Sequence, residues 1–599
     1  MTKHILLLWI YCMAFGHAIG QKEGDSWVIG YSVSQHTEYS VLQMDFRSGN
    51  LEVRRMLNEY SFTKETGSTI CDDEGIPLIW TNGMVIRGRN FQMIEDTISY
   101  VPDDWPNTKP SFWNWWYNED EFYAYGFPIP NGAIILPDPG DVTQYYVIYC
   151  FAEWDDRVGT FTVFKWLNAK VQHHLDGTFE LIYRDVPLGT ENVEYQYPIK
   201  AVRHANGRDW WLYSFVRNTA TYQLTLLDSS GLHNAGILDP GINIPNGAGL
   251  ATVSPQGNYL AIGFDIWGNV DQHVFLFDID RCSGTLAFKD SFSIGTQLWP
   301  GFGFSPSERY LYTCSDYIYL WQFDMEASDV GTSRVLVGEY DGFVHGSNFP
   351  TTFGPIMQTP DGKLYVVPVT ASNEYLHVID RPDESGTACK LRQHAINLTV
   401  PQGRSAPNIP NYRLGPLDGS PCDTLDINNL ATSRWRWEVD EPNDPLTIRF
   451  TDLSFYEPDT WEWDFDDSQE SAIPSPIHTF PDYGLYHVCQ TVENQYQRDS
   501  TCQWIELMPS VSVKDPRYVP FSVTPNPFTN ELRITHHADG FTTGEVIITD
   551  LQGIEVLNTG RIPLPITLEL NDLPAGMYIC TVREADGRMT SMKVVKSEM

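Results

Sequence analysis

The sequence predicts an all-β protein, with a ring of about seven repeated β units followed by two small sandwiches. Three observations carry this. The 599-residue chain holds 19 Trp, 31 Tyr and 30 Phe, and its apolar runs are short and bounded by Gly, Pro, Asn and Asp. That is the composition of strands and tight turns. A turn-then-strand pattern recurs from residue 23 to about 420, and two further sets of alternating strands follow it.

The first element is a leader. Residues 1–20, "MTKHILLLWIYCMAFGHAIG", place Lys3 ahead of an apolar run from Ile5 to Phe15, with Ala18 and Gly20 just before Gln21. A basic start, a short apolar run and a small-residue exit make a cleaved secretory signal. The run is shorter than the roughly 20 residues a membrane span needs. No other run is long enough either, so the mature chain is expected to be exported and to lack a membrane span. Its 77 acids oppose 39 bases, a net charge of −38. Such a surface repels phosphate backbones and excludes nucleic acid as a partner.

The repeat occupies residues 21–428. Its turn-plus-strand copies are "CDDEGIPLIW" (71–80), "PGDVTQYYVIYC" (139–150), "HANGRDWWLYSF" (204–215), "SPQGNYLAIG" (254–263), "SPSERYLYTC" (305–314) and "TPDGKLYVVP" (359–368). A second strand closing on Asp follows most of them, as in "HVFLFDID" (273–280) and "YLHVID" (375–380), with "SVLQMDF" (40–46) an early copy. Gly207, Gly257, Glu308 and Gly362 are spaced by 50, 51 and 54 residues. Several strands per fifty-residue repeat describe a β-propeller blade, a twisted sheet that buries its two faces only by stacking on neighbours. Counting the N-terminal hairpin gives seven blades. "GAIILPDPGDVTQYYVIY", "AVRHANGRDWWLYSF" and "NYRLGPLDGSPCDTL" resemble a family of secreted bacterial propeller proteins, related in style to WD and YVTN-type repeats. The resemblance implies a fold and no reaction.

Residues 434–508 break the repeat. In "TWEWDFDDSQESAIPSPIHTFPDYGLYHVCQTVEN", Trp461, Trp463 and Phe465 share one strand face, and Gly484, Tyr486 and Val488 begin the next core strand. The stretch resembles a PKD (polycystic kidney disease) domain, an immunoglobulin-like sandwich. Asp464-Phe465-Asp466-Asp467-Ser468 replaces both turn glycines of the family motif, and Gln490 stands where an apolar residue is usual. Cys489 and Cys502 flank a hairpin turn at equal offsets and out of phase with the core, so a disulfide is expected on the outer face, worth roughly 2–4 kcal/mol. A second bridge, Cys389–Cys422, is expected to tie the last blade to the exit. Asp452, Asp464, Asp466 and Asp467 are the candidates for a Ca²⁺ site, against the alternative of carboxylates capping turns.

Residues 519–599 start afresh with Pro525-Asn526-Pro527 and run through "EVIITDLQGIEVL" (545–557), "LELNDLPAGMYICTV" (568–582) and "SMKVVK" (591–596). These short strands with Gly turns make a second Ig-like sandwich. The tail resembles the type A sorting domain of the type IX secretion system, carried by Pro525, Asn526, Pro527, Gly553, Gly576, Tyr578, Lys593 and Lys596. The resemblance implies an outer-membrane translocon as partner and a destination at the cell surface or outside the cell. Without the leader nine cysteines remain, an odd number, and Cys580 on its strand is expected to be the free thiol.

No G-x-S-x-G elbow, H-E-x-x-H, P-loop or dinucleotide fingerprint occurs, so catalytic residues and cofactors are not expected. In "RHANGRDWW" (203–211), Arg203, His204, Arg208 and Asp209 either form a polar mouth or serve a tight Asn206-Gly207 turn. The segment 103–127 holds Trp105, Trp113, Trp115, Trp116 and Tyr117. Exposed, these rings would stack on sugars or apolar side chains of a ligand. The favoured reading is an exported binding or adhesion protein whose partner is an extracellular polysaccharide or protein. The alternative is a secreted propeller hydrolase or lyase working in the central channel.

Overall fold

The computed structural model describes residues 22–30, 41–56, 66–95, 129–508 and 521–597, apart from short gaps within these spans. The predicted leader and the aromatic segment 103–127 lie outside the described residues. The chain divides into two compact units, Met1–Leu507 and Met508–Met599.

Seven antiparallel meanders fill the first part of unit one, at 26–56, 68–95, 133–188, 195–238, 248–295, 302–339 and 353–402. Six have four strands, and the first has three among the described residues. Blade four shows why the sequence reads as it does. Its second strand, Trp210–Val216, is buried at every position, because both faces of the sheet are covered by neighbouring blades. Its last strand, Gly231–Leu238, is mostly exposed or half-buried and carries His233, Asn234 and Ala235 outward.

Six apolar clusters join the blades in succession. Val28 and Val41 meet Trp80 between blades one and two. A large cluster from Ile79 through Ile134 to Trp210 joins blades two, three and four. Tyr213 and Phe275 belong to the next interface, Leu276 and Phe304 to the one after, and Tyr312 and Val366 to that of blades six and seven. The last cluster packs Trp27, Met44 and Phe46 of blade one on Tyr365, Val367 and Val378 of blade seven, with the Phe46 and Tyr365 rings 6.3 Å apart. The ring is closed, as blade stacking requires, rather than laid out as an open solenoid.

The periodic turns seen in the sequence link the first and second strands of their blades. Gly75, Gly207, Gly257 and Gly362 have φ of 76, 77, 75 and 74°, a conformation glycine adopts freely. Glu308 takes the same place at φ 61°. Its carboxylate accepts the Gln256 amide at 2.6 Å and the Asn258 side chain at 2.8 Å, fastening blade six to the turn of blade five.

The PKD region packs one sheet of Trp435–Glu441, Asp444–Asp452 and Ile477–Thr479 on another of Glu470–Ser471, Thr460–Asp464, Gly484–Glu493 and Arg498–Leu507. Trp435, Phe450, Trp463, Phe465, Phe480, Val488 and Ile505 fill the space between. Gln490, the polar residue at an apolar place, is fully buried and satisfied. Its amide donates to Asp452 at 2.7 Å and its oxygen accepts from Ser433 at 2.9 Å and Ser454 at 3.1 Å.

Arg434, just ahead of the first PKD strand, and alternate residues of that strand face the propeller. Arg434 pairs with Asp25 at 2.8 Å and donates to the Phe46 carbonyl; Arg436 donates to the Asp361 carbonyl at 2.7 Å. Glu438 meets Lys363 at 2.9 Å and Asp440 meets Arg381 at 2.7 Å. Asp25 and Phe46 belong to blade one, the others to blade seven, so the PKD region lies on the seam where the ring closes.

Unit two is a sandwich of a three-stranded and a four-stranded sheet around Phe528, Leu532, Ile534, Val546, Ile548, Tyr578, Val582 and Val594. The Tyr578 hydroxyl donates to the Pro574 carbonyl at 2.8 Å. The Lys596 ammonium, though near the end of a strand, is buried and donates to the Leu570 and Asn571 carbonyls. Gly576 pairs with Lys596 and Ile579 with Lys593 across the last hairpin. Asn526, Pro527 and Gly553 lie outside the described residues. No described helix is long and apolar enough to cross a membrane.

Candidate functional site

After blade seven the chain returns to the centre of the ring as a coil. Asn408, 1% exposed, fixes it there. Its amide N–H donates to the Gly67 carbonyl at 2.7 Å, and its carbonyl accepts from the Ser68 hydroxyl at 2.9 Å. The side-chain NH₂ donates to the Ala133 and Ile199 carbonyls at 2.9 and 3.0 Å, while Oδ1 accepts from Lys200 Nζ at 2.8 Å. One asparagine thus meets the inner strands of blades two, three and four.

Farther on, the Tyr412 hydroxyl donates to the Ile135 carbonyl at 2.7 Å, Leu417 N–H donates to Ala205 at 2.8 Å, and Arg281 donates to the Gly415 carbonyl. A Cβ on Gly207 would sit 2.7 Å from Pro416, so this strap presses directly on a blade turn. Cys422 at its far end is bonded to Cys282 in the last turn of blade five, with Cα atoms 5.6 Å apart. The expected Cys389–Cys422 bridge is therefore corrected. Cys389 is a buried thiol in the core between blades six and seven, and the strap carries Cys422 away from it across the ring. Cys489 and Cys502 are directly opposed in register and bonded, on the outer PKD face. Cys580 is a buried thiol, as are Cys71, Cys150 and Cys314.

Between the inner strands, the strap and the PKD loop 452–461 lies a cavity of about 650 Å³. A second, of about 70 Å³, lies beside it and shares Trp27, Lys200, Thr252, Gln358 and Ile409. Lys200, Arg203, Arg281 and Arg413 line the larger one, against only two carboxylates, Asp452 and Glu457. Arg413 pairs with Asp25. The other three donate to uncharged oxygens: Lys200 to Asn408, Arg203 to Gly207 and Tyr412 at 2.9 Å, and Arg281 to Arg203 at 2.9 Å, His204 and Gly415. The Arg203 guanidinium also lies 4.4 Å over the Trp210 ring, and its buried Nε has no partner.

Burial without a matching anion disfavours the charged form. It pushes the Lys200 ammonium down to about 7 and the Arg281 guanidinium down to about 10, and lowers Arg203. The same cause raises Glu457 at the rim. Chemically the site is a walled concavity with an excess of positive charge, three of its cations without a direct ion pair among the described residues, and amide donors. Among the described residues no three carboxylates converge there as a cation would need.

Of the residues singled out in the sequence, Arg203 alone of its motif lines the cavity. Asn206 and Arg208 bind Asp209 at 2.7 Å and close the turn, and Trp211 donates to the Arg281 carbonyl at 3.0 Å. The four candidate Ca²⁺ ligands are not gathered together. Asp464 accepts the Asp466 amide and Asp467 the Gln469 amide, each capping a local turn, Asp466 accepts the His487 amide of the neighbouring strand, and Asp452 holds Gln490 and Trp461. The tryptophans 105, 113, 115 and 116 and Tyr117 lie outside the described residues. Sequence reasoning missed Lys200, Asn408 and the strap. The available signal was the Pro-punctuated run Asn408-Ile409-Pro410-Asn411, polar yet without strand alternation.

Residues 437–507 match the family model described as a PKD domain, and residues 522–597 match that of a secretion system C-terminal sorting domain. No curated protein matches the chain. Among solved structures, the PKD1 domain of Vibrio cholerae metalloprotease PrtV is similar at 21% identity, covering 13% of this chain and 99% of that one, with a TM-score of 0.12. A protein from Lactobacillus plantarum is 11% identical over 64% of this chain and 97% of its own, TM-score 0.36. A putative 6-phosphogluconolactonase from Bacteroides uniformis is 12% identical over 64% and 98%, TM-score 0.37. Behind its propeller the chain carries a PKD domain and a type IX secretion C-terminal sorting domain, and the latter makes it a protein sent to the cell surface or beyond.

Proposed function

We propose that this is an exported binding protein whose propeller is a recognition scaffold, with the ligand site in the cavity at the ring centre. One observation carries the reading. The cavity is walled by three parts far apart in sequence, namely inner strands, strap and PKD loop, and its volume lies within the roughly 300–1,000 Å³ of small-molecule sites. The PKD domain supplies one wall of it, and the sorting domain delivers the whole to the outside, where an extracellular polysaccharide or protein is the partner.

Thr252→Trp fills the cavity from the inner strand of blade five. The full chain and this variant are compared on glycan arrays and on pooled polysaccharide and ester substrates. Saturable binding without turnover, lost in a folded Thr252→Trp variant, is the expected result. Binding unchanged in that variant moves the site elsewhere, and turnover by the full chain replaces the binding reading with an enzymatic one.

A further inference from the structure

We propose that the ring-centre cavity takes an acidic saccharide, whose carboxylate supplies a direct ion-pair partner to Lys200, Arg203 and Arg281, which have none among the described residues. This rests on the reading of the cavity as the ligand site and adds the ligand's chemistry.

Charge is the first argument. In a chain of net charge −38, a concavity lined by four cations and two carboxylates is an inversion of the average surface. Elsewhere at the centre of unit one, buried cations are matched: Arg434 with Asp25, Arg436 with Glu438, Arg381 with Asp440 and Lys363 with Asp380. Around the cavity no carboxylate among the described residues is in ion-pair contact with Lys200, Arg203 or Arg281; Glu23 and Asp209 act on Arg203, and Glu457 and Glu308 on Arg281, from farther off. Removing charge from water without pairing it is costly, and a bound anion removes that cost.

Donor capacity is the second. The Lys200 ammonium has three N–H bonds and gives one to Asn408. Arg281 gives its Nε and one terminal nitrogen to carbonyl oxygens, and its other terminal nitrogen is a further donor. A carboxylate with its two oxygens accepts from such donors.

The remaining lining names the rest of the ligand. Half-buried Trp461 offers ring surface, and the Asn258 and Asn411 amides, each giving one N–H to Glu308 and to the Pro255 carbonyl, keep a second, the pairing of a flat apolar face and hydrogen-bonding groups that suits a hydroxyl-rich ring. A bare sulfate or phosphate would leave most of about 650 Å³ unfilled.

The full chain is titrated calorimetrically with trigalacturonate, with its methyl ester and with sodium sulfate, at low and at high salt. Trigalacturonate is expected to bind about tenfold or more tighter than the neutral ester, to weaken at high salt, and to lose about tenfold in a Lys200→Gln variant of unchanged circular dichroism. Should that variant not fold, the ester and salt comparisons on the unaltered chain decide alone. Equal binding of acid and ester overturns the proposal while the cavity reading stands. Sulfate binding as tight as trigalacturonate overturns the saccharide assignment. No binding of any of the three overturns the proposal too, and Thr252→Trp separately tests whether the cavity is the site.

Discussion

Lys200 Nζ donates to Asn408 Oδ1 at 2.8 Å, joining the inner strand of blade four to the chain that returns from blade seven. The amide oxygen is a dipole and no counter-ion, so the ammonium is held in place without being neutralised.

That arrangement makes stability depend on pH in a defined direction. Burial lowers Lys200 to about 7, whereas an unfolded lysine titrates near 10.4. Between these values the unfolded chain binds more protons, so stability rises with pH across that window, and the cost is fully present below about 7. A Lys200→Met variant, measured by urea unfolding, should gain relative to the unaltered chain by roughly 2 kcal/mol more at pH 6 than at pH 9. A pH-independent difference contradicts the uncompensated charge.

The strap is pinned by Cys282–Cys422, which closes a sequence separation of 140 residues. Replacing both cysteines with serine should cost roughly 2–4 kcal/mol and open residues 406–422 to limited proteolysis. Replacing Cys489 and Cys502, separated by 13 residues, should destabilise less, because the shorter loop gives up less entropy in the unfolded chain.

Asp25, 2% exposed, faces both Arg413 and Arg434. Asp25→Asn leaves two buried guanidinium groups without their anion, and breaking such an arrangement costs roughly 3–5 kcal/mol. Denaturant unfolding should show this loss, and added salt should restore little of it, since buried pairs are poorly screened.

Removing residues 520–599 takes away the sorting domain matched at 522–597. Cell fractionation should then find the protein trapped in the periplasm. Normal display of the truncated chain at the cell surface would deny the tail its role.

Much of the propeller was legible because its turns demand one backbone conformation at one spacing. Gly207, Gly257 and Gly362 all lie at positive φ, and Glu308 could be placed among them by period alone. The hairpin disulfide was legible because strand alternation puts Cys489 and Cys502 on one face. The ring centre was not. Lys200 looks like any solvated lysine until the blade directs its strand at the axis, and Asn408 bonds mainly to main-chain oxygens, which leave no trace in the order of side chains. Cys422 was paired with the wrong partner for the same reason, since nothing local records where a coil travels. The docking face of the PKD strand stood in plain sight as Arg434, Arg436, Glu438 and Asp440, but a charged alternation reads equally well as a wet surface.

The seam between first and last blades also sets an order of assembly. Arg434 reaches Asp25 across 409 residues, and bringing together ends that far apart costs roughly 5 kcal/mol of chain entropy. Blades two to six can stack as each emerges, whereas blade one keeps a bare flank until nearly the whole propeller and the strand after it have been made. During that interval Trp27 and Phe46 are apolar surfaces that a chaperone would find uncovered.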